Sequence, residues 1–210
     1  MPLDLEEQEQ VDELRAWWNQ HGTLVLTAVL VAVLAFAGWA VWRKYDTGQS
    51  AQASVLYETL AKAAQTGDAK ALRDAGGTLA ESHPRTLYAS MGALVSARFY
   101  FERNDLKNAK AQLQWAIDRS PSDDFRDLAR LRLAAVLLDE KAYDEALKIA
   151  DTPHATAYDA QFAALKGDVL VAKGQPAEAK AAYQLALEKA GREDAAFRES
   201  VRMRLEALGG

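Results

Sequence analysis

Residues 165–187 read LKGDVLVAKGQPAEAKAAYQLAL, with two helical patterns separated by the turn sequence KGQP. Ala179 and Tyr183 recur at helical spacing in the second pattern, and Gly167 provides a small residue in the first. Pro176 follows the turn directly and suits the first position of a new helix. The stretch therefore predicts two helices joined by a short turn.

The same arrangement occurs twice more on the N-terminal side. Its small position is taken by Ala109, Ala146 and Ala179, which recur after 37 and 33 residues, close to the tetratricopeptide period of about 34 residues. A small residue lets paired helices approach, and a large one four positions on fills the gap between pairs. An ordinary helical bundle is the alternative. The three alignments comprise Ala93, Ser96, Ala97, Tyr100, Ala109 and Leu113 with Pro121; Arg130, Leu133, Ala134, Leu137, Ala146 and Ala150; and Ala163, Lys166, Gly167, Leu170, Ala179 and Tyr183.

Short turns separate the predicted helices, at Asn104-Asp105, Glu140-Lys141 and the KGQP sequence. Pro153 shortens the second helix of the middle repeat. The pattern predicts three tetratricopeptide-like repeats over residues 85–192 and a capping helix over residues 193–210, which solenoids need at their ends.

A second feature is the uncharged stretch of residues 23–42, TLVLTAVLVAVLAFAGWAVW. At about 1.5 Å per residue it spans roughly 30 Å, the thickness of a bilayer's hydrocarbon core. Trp17 and Trp18 precede it, while Trp39, Trp42 and Tyr45 close it, as expected at two membrane interfaces. The stretch predicts a transmembrane helix.

Two alternatives exist for this stretch, a buried core helix of a soluble protein and a cleaved signal peptide. Ala35-Phe36-Ala37 resembles a cleavage site. However, residues 1–22 carry six acids and only Arg15, whereas a signal peptide begins with a positive segment. Hydrophobicity also continues past the site, so we expect an uncleaved anchor.

Composition limits the remaining possibilities. The chain is rich in Ala, Leu, Glu, Lys, Arg and Gln, which predicts an all-α fold: a single N-terminal transmembrane helix followed by a tetratricopeptide-like helical-hairpin solenoid. The formal charge of −5 is carried by residues 1–22, so the remainder has no electrostatic footprint for nucleic acid. The predicted segments are an acidic tail with a short interfacial helix (1–22), the span (23–42), a juxtamembrane helical hairpin (43–84), the repeats (85–192) and the cap (193–210).

Catalytic and metal chemistry have little basis in this sequence. There is no cysteine, and His21, His83 and His154 lie far apart with no metal-binding spacing. No glycine-rich phosphate loop is present either. We therefore expect no catalytic residue, no metal site and no cofactor; an enzyme with a membrane anchor is the disfavoured alternative.

The order of these parts resembles the YfgM family. The resemblance is carried by the acidic N-terminus, WAVWRKY, QSAQASVLYETL, RNDLKNAKAQLQWAI, LARLRLAAVLLDEKAYDEALKI and LKGDVLVAKGQPAEAKAAYQLAL. Members are bacterial inner-membrane tetratricopeptide proteins known as ancillary subunits of the SecYEG translocon. The resemblance implies a single span, a cytoplasmic N-terminus and a periplasmic repeat domain. It also implies association with the translocon and the membrane-anchored periplasmic chaperone PpiD, in passing exported proteins to envelope chaperones.

Charge around the span opposes that orientation. Arg15 lies on one side and Arg43 with Lys44 on the other, so a positive-inside count alone would leave the repeats in the cytoplasm. The bias is small, and long domains translocate largely regardless of charge. A cytoplasm-facing, membrane-tethered adaptor for a different complex is therefore the alternative function.

In a solenoid the first helices of the repeats together line a concave surface, so the sequence predicts an interaction surface there. Its residues are mostly apolar with one base and one acid, which suits an amphipathic helix or an unfolded apolar segment. The family resemblance implies that exported client proteins could supply such a segment. The alternative is ordinary core covered by the juxtamembrane or capping helix. The predicted partner-binding residues are Met91, Leu94, Arg98, Phe101, Leu128, Leu131, Ala135, Leu138, Gln161, Ala164 and Asp168.

Overall fold

The computed structural model describes the backbone of residues 5–209, and the side chains of that range except positions 5–12, 14, 41, 42 and 44–47. Within this range the regular elements are all helical, which confirms the predicted all-α class. The chain forms two units, Met1–Gly48 and Gln49–Gly210. The helices are α1 (Leu5–Thr66), α2 (Ala69–Ser82), α3 (Leu87–Phe101), α4 (Leu106–Arg119), α5 (Asp123–Asp139), α6 (Tyr143–Ala150), α7 (Asp159–Ala172), α8 (Pro176–Lys189) and α9 (Ala195–Ala207), with a 3-10 helix at Thr156–Tyr158 before α7.

The first unit contains the apolar part of α1. Among the described residues, Arg15–Ala40 is the one helical segment long and apolar enough to cross a membrane, and its apolar window has no buried residue. The Thr27 hydroxyl donates to the Thr23 carbonyl at 2.7 Å, so its polar group is satisfied within the helix. This segment therefore has the properties that a lipid-facing helix requires.

Aromatic side chains lie at both ends of this segment. The Trp17 ring stacks on His21 with centroids 5.3 Å apart. Trp39 contacts Phe36, and the Arg43 guanidinium lies over the Trp39 ring, 5.3 Å from its centroid. The side chains of Trp42, Lys44 and Tyr45, which the sequence places at the second interface, lie outside the described residues.

The second unit begins with the C-terminal part of α1, which packs on α2. Leu60 of α1 and Leu72 and Leu79 of α2 are almost fully buried in one cluster. The Asp68 carboxylate accepts hydrogen bonds from the first backbone N–H groups of α2, which fixes the start of that helix. Burying these leucines anchors the C-terminal part of α1 to the repeats, because the same cluster includes Phe99 and Tyr100 of α3.

Three helical pairs follow, α3 with α4, α5 with α6 and α7 with α8. The repeated small residues Ala109, Ala146 and Ala179 are completely inaccessible to solvent, as close helix approach requires. Gly167 packs directly on the ring of Tyr183, and a β-carbon at Gly167 would lie 2.4 Å from Tyr183 Cε1. The large residue of one helix is thus accommodated by the smallest residue on the other.

The same turn joins the helices of each pair. Its central residue has a positive φ in all three repeats, at Asn104 (59°), Lys141 (62°) and Gly174 (80°). The following backbone N–H donates back to the last turn of the first helix, which closes it. These bonds are Asp105 N to Tyr100 O (2.9 Å), Ala142 N to Leu137 O (2.8 Å) and Gln175 N to Leu170 O (2.9 Å).

The middle repeat departs from its neighbours after α6, which has only eight residues and ends before Pro153. The irregular linker is held by Asp127, whose side chain is 2% exposed. Its carboxylate accepts hydrogen bonds from Arg130 Nη1 at 2.7 Å and from the Ala155 backbone at 2.9 Å. A paired buried carboxylate therefore stabilises the segment where helix is interrupted.

The last helix, α9, packs on α8. Val201 of α9 is completely buried in a cluster with Ala182, Tyr183 and Ala186. Arg198 donates to the carbonyl of Leu187 at 2.7 Å, near the C-terminal end of α8. In this position α9 would serve as the capping helix that the sequence predicts.

Candidate binding groove

The predicted concave residues differ strongly in accessibility. Arg98, Phe101 and Ala135 are exposed, whereas Leu94 and Ala164 are buried in the core. The others are partly accessible, which leaves the face formed by α3 and α5 as its most open part. The partly accessible residues are Met91, Leu128, Leu131, Leu138, Gln161 and Asp168.

Two adjoining cavities lie along this face of α3 and α5, and we call them together the inner groove. The first has a volume of about 260 Å³. The second, of about 540 Å³, lies between α1, α3 and α5. Arg98 and Arg132 line both cavities. The first is also lined by Ala97, Phe101, Leu113, Ala135 and Val136, and the second by Tyr57, Ala61, Ala64, Gln65, Leu94, Val95, Phe99 and Glu102.

The opposite orientations of two neighbouring aromatics shape the groove. Phe99 is 3% exposed and packs in the core with α1 and α2, whereas Phe101 is 39% exposed at the groove. The Arg103 guanidinium covers the Phe99 ring, 3.5 Å from its centroid, and donates to the Phe99 carbonyl. These contacts hold the last turn of α3, from which Phe101 projects.

The charged groups of the inner groove are two arginines and one glutamate. Arg98 Nε pairs with Glu102 Oε1 at 2.7 Å, one helical turn away. Arg132 makes no hydrogen bond or ion pair with any residue that the structure describes. Arg132 is exposed as a residue, but partial desolvation of its guanidinium lowers its pKa from the usual value, and the positive charge of Arg98 adds to this effect. The groove therefore combines a mainly apolar first cavity and a more polar second cavity with an excess of positive charge.

Arg132 is a groove residue that the predicted surface omitted. The sequence contains a signal for it, because Leu128 and Ala135 stand four residues before and three residues after it, on the same helical face. The residues of α1 between Tyr57 and Gln65 were also not predicted as groove residues. Their position depends on how α1 packs on α3, which helical spacing within α1 does not encode.

The corresponding face of the third repeat is occupied by the protein's own side chains. Asp168 accepts a hydrogen bond from the Tyr183 hydroxyl at 2.7 Å and pairs with Arg204 of α9 at 2.8 Å. Gln161 Oε1 is buried and accepts no hydrogen bond from a described residue. The structure therefore places Asp168 in a contact that holds the capping helix.

The three histidines lie in separate surroundings. His21 stacks on Trp17, His83 contacts Gln49, and the His154 ring stacks on Phe162 with centroids 4.0 Å apart. Among the described residues, no group of three or more His, Asp or Glu side chains has the arrangement of a metal site. What the inner groove can do chemically is bind a ligand through apolar contact and charge.

The helical pairs, their common turn and the capped end define a tetratricopeptide-like repeat protein. The family model described as a tetratricopeptide repeat-like domain matches residues 15–210. The chain belongs to this family, and within it to the group of proteins named ancillary SecYEG translocon subunits. The family resemblance deduced from the sequence is thereby confirmed.

Relatives that carry that name come from several bacteria. The protein of Haemophilus influenzae is 30% identical over 186 residues, which are 89% of this chain and 91% of the relative. The Neisseria gonorrhoeae protein is 30% identical over 99% of this chain and 100% of its own length. The Escherichia coli protein is 28% identical over 85% of each chain. No solved structure matches this chain significantly.

Proposed function

We propose that this protein is a membrane-anchored interaction scaffold that associates with the SecYEG translocon and links it to periplasmic chaperones for exported proteins. The names of the relatives support association with the translocon, because the alignments with these relatives cover nearly the whole of this chain. The apolar segment Arg15–Ala40 supports the membrane anchor. A PpiD-like chaperone is the proposed second partner, and exported client proteins are the proposed third ligand class.

The observation that carries the proposal is the open inner groove. Its walls are on packed helices, so they keep their shape without a ligand. Burying Phe101 against a partner would remove a large apolar surface from water, at about 25 cal/mol per Å². A partner can make this contact with Phe101 while the repeats stay folded. A scaffold needs this property.

Co-purification from membranes tests the association. The full chain, tagged at its C-terminus and extracted in mild detergent, is expected to retain the SecYEG subunits and a membrane-anchored chaperone. Phe101→Ala is expected to reduce retention of the groove's partner, whereas Gln184→Ala, an exposed change on α8, serves as the matched control. Absence of translocon subunits from every preparation would contradict the proposal.

The proposed orientation places the N-terminus in the cytoplasm and the repeats in the periplasm. The cytoplasm-facing adaptor is the alternative function, and the positive charge of Arg43 and Lys44 after the apolar segment favours it. Protease added to spheroplasts is expected to digest the repeats. Their protection until the inner membrane is opened would establish the alternative orientation.

A further inference from the structure

The two cavities of the inner groove meet at a pair of positive charges. Arg98 and Arg132 line both cavities; beyond them the first cavity presents mainly apolar groups, and the second presents a mixture of polar and apolar groups. Phe101 and Ala135 lie on one side, and Tyr57 and Val95 on the other. A ligand that fills both cavities must therefore pass the two guanidinium groups.

These charges are incompletely neutralised by the protein. Glu102 pairs with Arg98, but their side chains are 78% (Arg98) and 51% (Glu102) exposed, and pairs of that kind hold only weakly. Arg132 has no acidic partner among the described residues, and Arg98 disfavours its charged form. An anion placed between Arg98 and Arg132 would relieve this repulsion and accept hydrogen bonds from planar guanidinium groups.

We infer that the inner groove recognises a protein segment in which one aspartate or glutamate is flanked on both sides by apolar side chains. The carboxylate meets Arg98 and Arg132, and the flanking side chains occupy the two cavities. This inference rests on the proposed function and specifies its ligand. An internal acidic residue fits better than a chain end, because a terminal carboxylate would leave one of the two cavities empty.

Binding of synthetic peptides to the full chain in lipid nanodiscs tests the inference. The probe has two leucines on each side of one glutamate, blocked ends and a fluorescent label, so that fluorescence anisotropy gives its Kd. A second peptide has glutamine in place of glutamate. A third ends in leucine with a free carboxylate and contains no glutamate. The glutamate peptide is expected to bind about tenfold more tightly than the glutamine peptide, as for the loss of one charge-assisted contact.

A double-mutant cycle assigns that difference to the groove. In Arg132→Gln the preference for the glutamate peptide is expected to fall from about tenfold to about threefold, because one of the two partners of the carboxylate is removed. Arg98→Gln provides a second variant with the same expectation. Lys107→Gln removes a positive charge from the exposed first turn of α4 and is expected to keep the tenfold preference. Melting temperatures confirm that each variant is folded.

The possible failures are distinguishable. Equal affinity of the wild type for both blocked peptides, with weaker binding in Phe101→Ala, would overturn acidic recognition and leave the apolar groove intact. Tighter binding of the free carboxylate peptide than of the glutamate peptide would overturn the internal residue in favour of a chain end. Failure of all three peptides to bind would overturn the inference, while co-purification would independently decide the proposed function.

Discussion

The inner faces of the first two repeats and of the third share one sequence register but have different surroundings. In α3 and α5, Arg98, Phe101 and Ala135 line an open groove. In α7, Asp168 is bound by Tyr183 and by Arg204 of the capping helix. The difference shows that a repeat pattern specifies which helical face turns inward, whereas the neighbouring helices decide whether that face remains available.

The third repeat is therefore expected to be the more sensitive to changes in packing. Gly167→Ala would place its β-carbon 2.4 Å from the ring of Tyr183, which is 2% exposed and hydrogen-bonded to Asp168. We expect a loss of roughly 3 kcal/mol in the free energy of unfolding, the upper end for overpacking. Chemical denaturation of the full chain in detergent measures it.

Gly77→Ala is the matched control, since no atom lies within 4 Å of the added carbon on the exposed face of α2. Because alanine is the better helix former, this variant should be stabilised by about 0.5 to 1 kcal/mol. Equal losses in the two variants would mean that Gly167 is not a close contact.

The same contact makes a prediction about alkaline pH. Burial, followed by the hydrogen bond to Asp168, raises the pKa of Tyr183 above its model-compound value of 10.0. The unfolded chain thus loses this proton first, and stability falls as the pH rises above about 10, by at most about 1.4 kcal/mol per pH unit. Tyr183→Phe removes the titrating group, so the alkaline decline should be shallower than in the wild type. Parallel declines between pH 9 and 11 would contradict this.

The fold could be predicted from the sequence because every repeat contains its own small packing residue and its own turn sequence. Ala109, Ala146 and Ala179 specify close approach, and the turns are visible as short polar sequences. The candidate site was predicted less completely. Leu94 is buried by contacts with elements distant in sequence. Asp168 pairs with Arg204, which lies 36 residues away. Spacing along one helix contains no information about such contacts.

The shared turn allows a direct exchange between repeats. Lys141 adopts φ 62°, where a side chain is unfavourable, whereas Gly174 adopts φ 80° without one. Lys141→Gly is expected to stabilise the protein by roughly 0.5 to 1 kcal/mol, and Gly174→Lys to destabilise it by about 1 kcal/mol. Thermal unfolding of the two variants checks the opposite signs, and shifts of the same sign would show that the turns are not equivalent.

The smallest stability effect is expected at the open face. Phe101→Ala should change the free energy of unfolding by less than about 1 kcal/mol, because Phe101 is 39% exposed. Phe99→Ala, two positions earlier and 3% exposed, should cost about 3 to 5 kcal/mol. Denaturation curves compare the pair. A large loss for Phe101→Ala would identify Phe101 as core and remove it from the groove.

Site-specific photocrosslinking in intact membranes tests the central claim, that the open face of the first two repeats holds the partner. Phe101 is replaced by benzoylphenylalanine in the full chain, and exposed Gln184 of α8 is replaced in the same way as a control. The account predicts that position 101 forms adducts identified by mass spectrometry as a SecYEG subunit or a membrane-anchored chaperone, and that position 184 does not. No such adduct at position 101, or the same adducts at both positions, would contradict it.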